Sequence, residues 1–321
     1  MTFKLTKFSE INLVSLSSFI WENCLAFNRT EFTSSELILS KLLDHQSSHD
    51  ASLLFSWKEN NEFLGVLYLY LENSQYNIMN PGFFGQYPII RKDLDYSLSL
   101  SNIIINLIQV LQEMHPEITS LKFELSPEHK KMPETSSIDE IMNDAGFNCV
   151  YSKLSLDLTN YTSNTINSIS GLKFENYSPN LQKEFFHCYY ESFMDADLAF
   201  FKNMSDEERN EMYLELLTPE YMNYAASFIV RKEKLIVGGA IIWNYSESSE
   251  KNAHLNLMCV HPHHQHQGIG QVLLDHAIQH IKHQKIPSLS LYTENDRSPY
   301  KFYTQFGFLP ANGWKTFILN I

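Results

Sequence analysis

Residues 261–274 combine residue types and spacings that could do chemistry. The segment reads HPHHQHQGIGQVLL and has four histidines in its first six residues. Imidazole nitrogens bind zinc, so one interpretation is a metal site. The same letters contain Gln265-x-x-Gly268-x-Gly270 ahead of an amphipathic segment. That pattern could hold a phosphate group on main-chain N–H groups where a helix begins.

The metal interpretation is the weaker of the two. A catalytic zinc site needs three ligands that are oriented by further hydrogen bonds, often from carboxylates. Asp275 is the only carboxylate near the histidines in the sequence. His276, His280 and His283 follow at helical spacing, and we expect them to form a solvated stripe. We therefore expect no bound metal.

The phosphate interpretation has the right structural context. Residues 253–260 (AHLNLMCV) alternate as a strand does, and the glycine loop and an amphipathic helix follow. The N–H groups of a helix's first turn have no partner within the helix, and the helix dipole favours an anion there. Glycine has no Cβ to hold a diphosphate away from them. Alternation also predicts that Leu255, Leu257 and Cys259 share one face of the strand, opposite His254, Asn256 and Met258.

A second motif follows the first. VHPHHQHQGIG (260–270), followed by NDRSPYKFYTQFGF (295–308), resembles the GNAT superfamily of N-acetyltransferases, and the resemblance covers residues 172–321. It implies acetyl-CoA as the acyl donor and a primary amine, on a small molecule or a peptide, as the acceptor. It also implies that the strand before the loop diverges from its neighbour, so that the Met258 N–H faces the thioester carbonyl. The cofactor-binding residues that it implies are Met258, Cys259, Val260, Gln265, His266, Gln267, Gly268, Ile269, Gly270, Gln271, Asn295 and Tyr303.

The resemblance also implies catalytic roles. Tyr303 would protonate the CoA thiolate, although packing with Tyr292 and Tyr300 could explain a tyrosine here. His254 occupies the position at which some relatives carry a glutamate base, and Glu294 is a second candidate. A chain of water molecules is the third way to remove the proton from the attacking amine.

The two halves of the chain repeat one order of elements. Hairpin patterns at 53–72 and 226–245 are each followed by a helix, a strand, a helix that ends in Gly-Phe, and a closing strand. The order predicts two similar domains with an α/β fold and a mixed sheet (α+β type), and the resemblance implies that they are two tandem GNAT folds. We predict a degenerate domain at 1–158, a linker at 159–171 and a catalytic domain at 172–321. The first half has no glycine pair at its helix start, where Asp93 and Asp95 would repel a diphosphate.

Residues 180–201 are the predicted acceptor-binding region. Tyr189, Phe193, Asp195 and Asp197 could form an aromatic, acidic pocket for an amine. In the alternative, the aromatic residues belong to the core and the aspartates cap the next turn. A sensor or scaffold that binds acyl-CoA with weak or no turnover is the alternative function.

Composition excludes other function classes. The net charge is −13 at pH 7, with no basic stripe, so we expect no nucleic-acid partner. No run of 18 apolar residues occurs, so we expect no membrane span. The four cysteines lack CxxC spacing, which favours a cytoplasmic location. We expect a monomer or a homodimer.

Overall fold

The computed structural model describes residues 2–23, 34–48, 53–72, 75–78, 88–125, 135–162, 169–196, 198–245 and 252–321. The first half contains β1 (Thr2–Lys7), α1 (Leu13–Asn23), α2 (Ser35–Ser48), β2 (Leu53–Glu59), β3 (Glu62–Glu72), β4 (Gln75–Ile78), β5 (Ile89–Ile90), α3 (Tyr96–Met114), β6 (Ser120–Leu125), α4 (Thr135–Asp144) and β7 (Asn148–Asp157). The second half contains β8 (Leu172–Asn176), α5 (Gln182–Asp195), α6 (Ala199–Asn203), α7 (Asp206–Leu216), β9 (Phe228–Lys232), β10 (Leu235–Tyr245), β11 (Asn252–Val260), α8 (Ile269–His283), β12 (Ser288–Glu294), α9 (Ser298–Gln305) and β13 (Leu309–Asn320).

The chain divides into two compact units. Unit 1 consists of Met1–Ser152, Glu294–Arg297 and Asn312–Ile321, and unit 2 of Lys153–Thr293 and Ser298–Ala311. Unit 1 has the strand order β1-β2-β3-β4-β6-β13, with β5 beside β3, and unit 2 has β7-β12-β11-β10-β9-β8. The pairs β4–β6 and β11–β12 are parallel, and the other pairs with a defined register are antiparallel. The predicted α/β architecture with a mixed sheet is confirmed.

The turns follow from residues that tolerate a positive φ. Asn60 and Asn61 have φ of 48° and 71° and close the first predicted hairpin. Gly146 and Gly307 have φ of 87° and 93° and end α4 and α9, as the two Gly-Phe pairs predicted.

The closing strands of the two halves are exchanged between the compact units. β13, at the end of the chain, pairs with β6 of unit 1 from Lys315↔Leu125 to Asn320↔Ser120. β7 closes the first half, but its residues from Lys153 onward belong to unit 2. The boundaries 1–158 and 172–321 follow chain order and stay a prediction.

A β-bulge in β11 changes which side chains share a face. The pairing of β11 with β10 shifts register between Ile241↔Leu257 and Ile242↔Leu255, which leaves Asn256 as an extra residue. Leu255 therefore packs in the core under α8, whereas Leu257 and Cys259 pack in the core under α5. The prediction that these three residues share one face was wrong, because strict alternation fails where a strand bulges.

Within the described ranges, no helix is both long and apolar enough to cross a membrane.

Candidate active site

β11 and β12 separate along their length. Their parallel register covers only Ala253↔Leu289 and His254↔Ser290. β11 continues to Val260 and stays paired with β10 as far as Gly238↔Val260. The edge of β11 that faces β12 is thus open from the bulge onward in the described structure.

The main chain of Met258 faces this opening. The antiparallel pairing with β10 continues one residue beyond β11, because the His261 N–H donates to Val237 O at 3.0 Å. Residues that bond across an antiparallel pair alternate. Cys259 therefore directs its N–H and C=O toward β10, and Met258 and Val260 direct theirs toward the opening.

The loop after β11 presents a row of unused donors. His266 and Gly268 have φ of 58° and 80°, and α8 begins after Gly268 without a side-chain cap. The first hydrogen bond of α8 runs from Val272 N to Gly268 O. Within the described structure, the six main-chain N–H groups of residues 266–271 donate to no protein acceptor. Such a row at a helix start is an anion site.

Side chains hold the strand end and the loop in place. Val260 O accepts a hydrogen bond from Ser192 Oγ at 2.9 Å and from Gln265 Nε2 at 3.1 Å. Gln267 Nε2 donates to His263 O at 3.2 Å. Gln265 and Gln267, both predicted to bind the cofactor, thus have structural hydrogen bonds of their own.

Gly270 is not required by the packing of the chain itself. A Cβ added there would lie 3.7 Å from Phe302 and 3.8 Å from Val260, which is ordinary contact. Gly268 differs, because its φ of +80° is strained for any other residue. A glycine at 270 that packing does not demand fits the close approach of a ligand.

Tyr303 lies in the core under α8 and next to the open strand. It is 8% exposed and makes edge contacts with Phe302 and Phe308 at centroid distances of 5.2 and 5.6 Å. Burial, and secondarily the nearby Cys259 thiol, raise the pKa of Tyr303 well above its ordinary value. The phenol therefore stays protonated.

His254 stands where β11 and β12 still pair. Its Nδ1 lies 3.0 Å from Ser290 Oγ, and its ring lies 5.4 Å from the ring of Tyr292. Burial, together with the charge of Lys153, lowers the pKa of His254 to about 4. His254 is therefore neutral at pH 7.

Asn295 and Glu294 make contacts within unit 1. Asn295 Nδ2 donates to Cys149 O at 2.9 Å, and Asn295 Oδ1 accepts from Ser152 Oγ at 2.6 Å. Glu294 forms an ion pair with Arg297. Their predicted cofactor and base roles stay predictions, but both side chains already have partners.

The aromatic members of the predicted acceptor pocket, Tyr189 and Phe193, lie on α5. Tyr189 is fully buried, packs on Phe193 and Tyr213 at 4.5 and 4.9 Å, and its Oη has no partner within the described residues. Phe193 is half-buried, so the acceptor pocket and the core alternative both stay predictions. Asp195 is exposed at the end of α5, and Asp197 lies outside the described residues.

The histidines take up several different positions. His276 and His280 pack on Phe228 at 4.4 and 4.5 Å, so the expectation of a solvated stripe was wrong for these two. Their aromatic rings supply apolar surface, which a polarity pattern does not show. His283 is exposed. The described part of the chain contains no group of three or more His, Cys, Asp or Glu side chains arranged to hold a metal.

Sequence reasoning missed three residues at the site. Ser192 joins α5 to the end of β11, Cys188 lies in the same part of the core as Cys259, and Ser290 contacts His254. Only Ser290 had a sequence signal, since it alternates with the buried Leu289 and Leu291 in β12.

Comparisons with known proteins agree with this geometry. Residues 223–310 match the family model described as acetyltransferase (GNAT) domain. A search of curated proteins gives no match.

Among solved structures, a GCN5-related N-acetyltransferase from Sphaerobacter thermophilus is 9% identical, with a TM-score of 0.52 over 99% of this chain and 95% of that chain. A GNAT-family acetyltransferase from Colwellia psychrerythraea is 10% identical, with a TM-score of 0.51 over 100% of both chains. The GCN5-related glucosamine N-acetyltransferase region of a fungal multidomain β-N-acetylglucosaminidase is 10% identical, with a TM-score of 0.50 over 99% of this chain and 38% of that one.

Likeness at this identity shows the fold, and it confirms the predicted tandem GNAT architecture. The matched domain supports an acyltransferase in general terms. Residues 223–310 therefore belong to the GNAT acetyltransferase family, and the chain has the GNAT fold over nearly its whole length.

Proposed function

We propose that the chain is an acetyl-CoA-dependent N-acetyltransferase whose site lies in its second half. The observation that carries the proposal is the row of six unused N–H groups at residues 266–271, next to the opening between β11 and β12. A diphosphate would accept from that row, and a pantetheine arm would continue along the open edge of β11. Bound acetyl-CoA would supply the reactive acetyl thioester.

The main chain of β11 would stabilise charge in the transition state. The Met258 N–H faces the opening and would donate to the thioester oxygen, on which negative charge develops during attack by the amine. A donor that is fixed before the reaction begins stabilises such charge without reorganisation. The bulge at Asn256 sets this direction, because it changes which residues turn their N–H groups toward β12.

Tyr303 would act on the leaving sulfur as a hydrogen-bond donor. Its raised pKa keeps the phenol protonated, and Cys259 places it beside the strand that would hold the arm. A thiol has a pKa of about 8.5, below that of this phenol. Tyr303 would therefore stabilise the thiolate chiefly by hydrogen bonding, with proton transfer completed as the product amide loses its extra proton.

His254 is the base that the geometry favours over Glu294. His254 is neutral at pH 7 and so can accept a proton, whereas Glu294 is held by Arg297. A pKa of about 4 makes the imidazole a weak base. We therefore assign His254 a modest share of the rate enhancement. A chain of water molecules would carry the proton from the amine to His254.

The acceptor is a primary amine on a small molecule or a peptide. The fungal region with the same fold is described as a glucosamine N-acetyltransferase, an enzyme that acts on a small amine. The first half would not be catalytic. Its α3 begins at an Asp95 cap, whose carboxylate accepts from Leu98 N at 2.8 Å and would repel a diphosphate.

The first test is binding to the loop. Calorimetry with acetyl-CoA and CoA should detect association with the wild-type protein and much weaker association with Gly268→Ala. Gly146→Ala is the matched control, because Gly146 has a φ of +87° against +80° at Gly268 and belongs to unit 1, whereas the loop belongs to unit 2. Both substitutions impose the same backbone strain of about 1 kcal/mol. Equal CoA affinity in the two variants would contradict the proposal.

Turnover is measured separately. A panel of amines is incubated with acetyl-CoA, and free thiol is followed. Thiol release that depends on the amine is expected. Binding of CoA without turnover of any amine would favour the sensor or scaffold alternative.

A further inference from the structure

The chain just before β8 packs along α8. Tyr161 lies against the later turns of this helix, because Lys282 Nζ donates to Tyr161 O and lies 5.7 Å from the centre of the Tyr161 ring. Ile169 and Leu172 are partly buried against the core under α8. Leu172 N donates to Ile169 O at 3.4 Å, which closes a turn in which Gly171 has a φ of +83°. The predicted linker therefore supplies side chains to the same unit as α8.

Ile169 lies against Gly268, the residue that precedes α8. Its Cδ1 is 3.6 Å from the position that a Cβ on Gly268 would take. Apart from Gln271 and the two chain neighbours of Gly268, no other described residue has an atom within 4 Å of that position. Gln271 is exposed, and its contact is made by the end of a flexible side chain. Ile169 is thus the apolar contact that Gly268 has here.

Gly268 depends on such a contact more than its neighbours in the loop do. Side-chain hydrogen bonds of Gln265 and Gln267 hold the residues before it, and Ile269, which is 2% exposed, anchors the residue after it. Gly268 has no side chain to pack and has the widest choice of backbone conformations. If it leaves its φ of +80°, the N–H groups on either side of it no longer point in the same direction.

We propose that Ile169 is a positioning residue that holds Gly268 in place, so that the N–H groups of residues 266–271 converge on one anion before it binds. A site that is ordered in advance loses less conformational entropy on binding, and its affinity is therefore higher. The role of Ile169 in coenzyme binding rests on the proposed function. Its role in ordering Gly268 does not.

The ordering of Gly268 can be measured in the free protein. Amide ¹⁵N relaxation of the full chain gives order parameters for residues 266–271. Ile169→Val removes the contacting Cδ1, whereas Ile169→Leu keeps a side chain of the same length. The order parameter of Gly268 should fall in Ile169→Val, fall further in Ile169→Ala and keep its wild-type value in Ile169→Leu.

Leu172→Ala is the matched control for these variants. Leu172 is partly buried against the same core but has no atom within 4 Å of the Cβ position of Gly268. It should leave the order parameter of Gly268 unchanged. An unchanged order parameter in Ile169→Ala would overturn the inference.

Calorimetry and steady-state kinetics separate positioning from a structural role. Ile169→Ala should raise the Kd for CoA about fivefold, the size expected when one more loop element must be ordered on binding. The KM for acetyl-CoA should rise by a similar factor, with kcat within twofold of wild type. Added salt should not change the ratio of the two Kd values, because the lost contact is uncharged. Leu172→Ala should lower the free energy of unfolding without changing the Kd.

Two results for the Kd would overturn the inference. One is a Kd in Ile169→Ala within twofold of wild type, and the other is an equal rise in Leu172→Ala. Failure of the wild-type protein to bind CoA would instead contradict the proposed function, and the order parameter of Gly268 would then decide whether Ile169 positions the loop.

Discussion

The exchange Gln271→Glu should affect stability and cofactor affinity in opposite directions. Gln271 is exposed in the first turn of α8, which begins at Gly268 without a side-chain cap. Its Oε1 lies 3.8 Å from the Cβ position of Gly268, so the side chain reaches over the loop. The substitution replaces an amide with a carboxylate of nearly the same shape.

The two effects have different magnitudes. A carboxylate in the first turn of a helix interacts favourably with the helix dipole and should stabilise the fold by about 0.3–1 kcal/mol. Two unit charges in close contact repel by about 1 kcal/mol in water and by about 4 kcal/mol near a protein surface. Because Gln271 is exposed, the lower value applies. About 1 kcal/mol is roughly a fivefold increase in the Kd for CoA.

Calorimetry with CoA and urea denaturation measure the two effects. The matched control is Gln279→Glu, which makes the same change about 12 Å further along α8, beyond the screening length at about 0.1 M salt. The control should leave the Kd for CoA within twofold of wild type, and added salt should reduce the penalty in Gln271→Glu. Wild-type affinity in Gln271→Glu at low salt would refute a diphosphate site at the start of α8.

Three further predictions concern the site and its support. Tyr303→Phe should lower kcat at least tenfold with the Kd for CoA unchanged, as measured by thiol release and calorimetry. Gly239→Ala should destabilise the fold by about 1–3 kcal/mol in urea denaturation, because the new Cβ would lie 2.5 Å from the buried ring of Phe185, whereas Gly270→Ala should not destabilise it. The pKa of His254 in the folded protein is about 4, below the ordinary value of 6.5, so the unfolded chain binds the proton more tightly. The free energy of unfolding therefore has its full contribution from His254 above pH 6.5 and falls by up to about 3 kcal/mol as the pH drops to 4. Urea denaturation at pH 7 and 4.5 should show a smaller decline in His254→Gln.

The sequence predicted the loop because the chemistry there belongs to the main chain. Gly268 and Gly270 between a strand pattern and a helix pattern predict a helix start with unused donors, whatever the neighbouring side chains are. The structure has those donors at residues 266–271. The hairpins and the Gly-Phe helix ends could be predicted for the same reason, since each depends on a local backbone conformation.

Features that depend on pairing between distant segments could not be predicted. The bulge at Asn256 is a property of the β10–β11 register, which alternation within one strand does not contain. The sequence could not predict that most of β7 belongs to unit 2 and most of β13 to unit 1, because the patterns of both closing strands suit either sheet. Asn295 shows the same limit, because the spacing placed it after β12 but could not give its partners, Cys149 and Ser152.

The contrast between α3 and α8 explains how one fold can hold a ligand in one half and not in the other. Both helices follow the central strands of their own half, and each start has donors that need acceptors. At α3 the chain supplies the acceptor itself, because the Asp95 carboxylate binds Leu98 N. At α8 the residue in the same position is Gly268, which has no side chain to accept a hydrogen bond. The N–H groups at the start of α8 must therefore find their acceptors outside the chain. The difference between a structural cap and a candidate coenzyme site can thus come down to one carboxylate at a helix start.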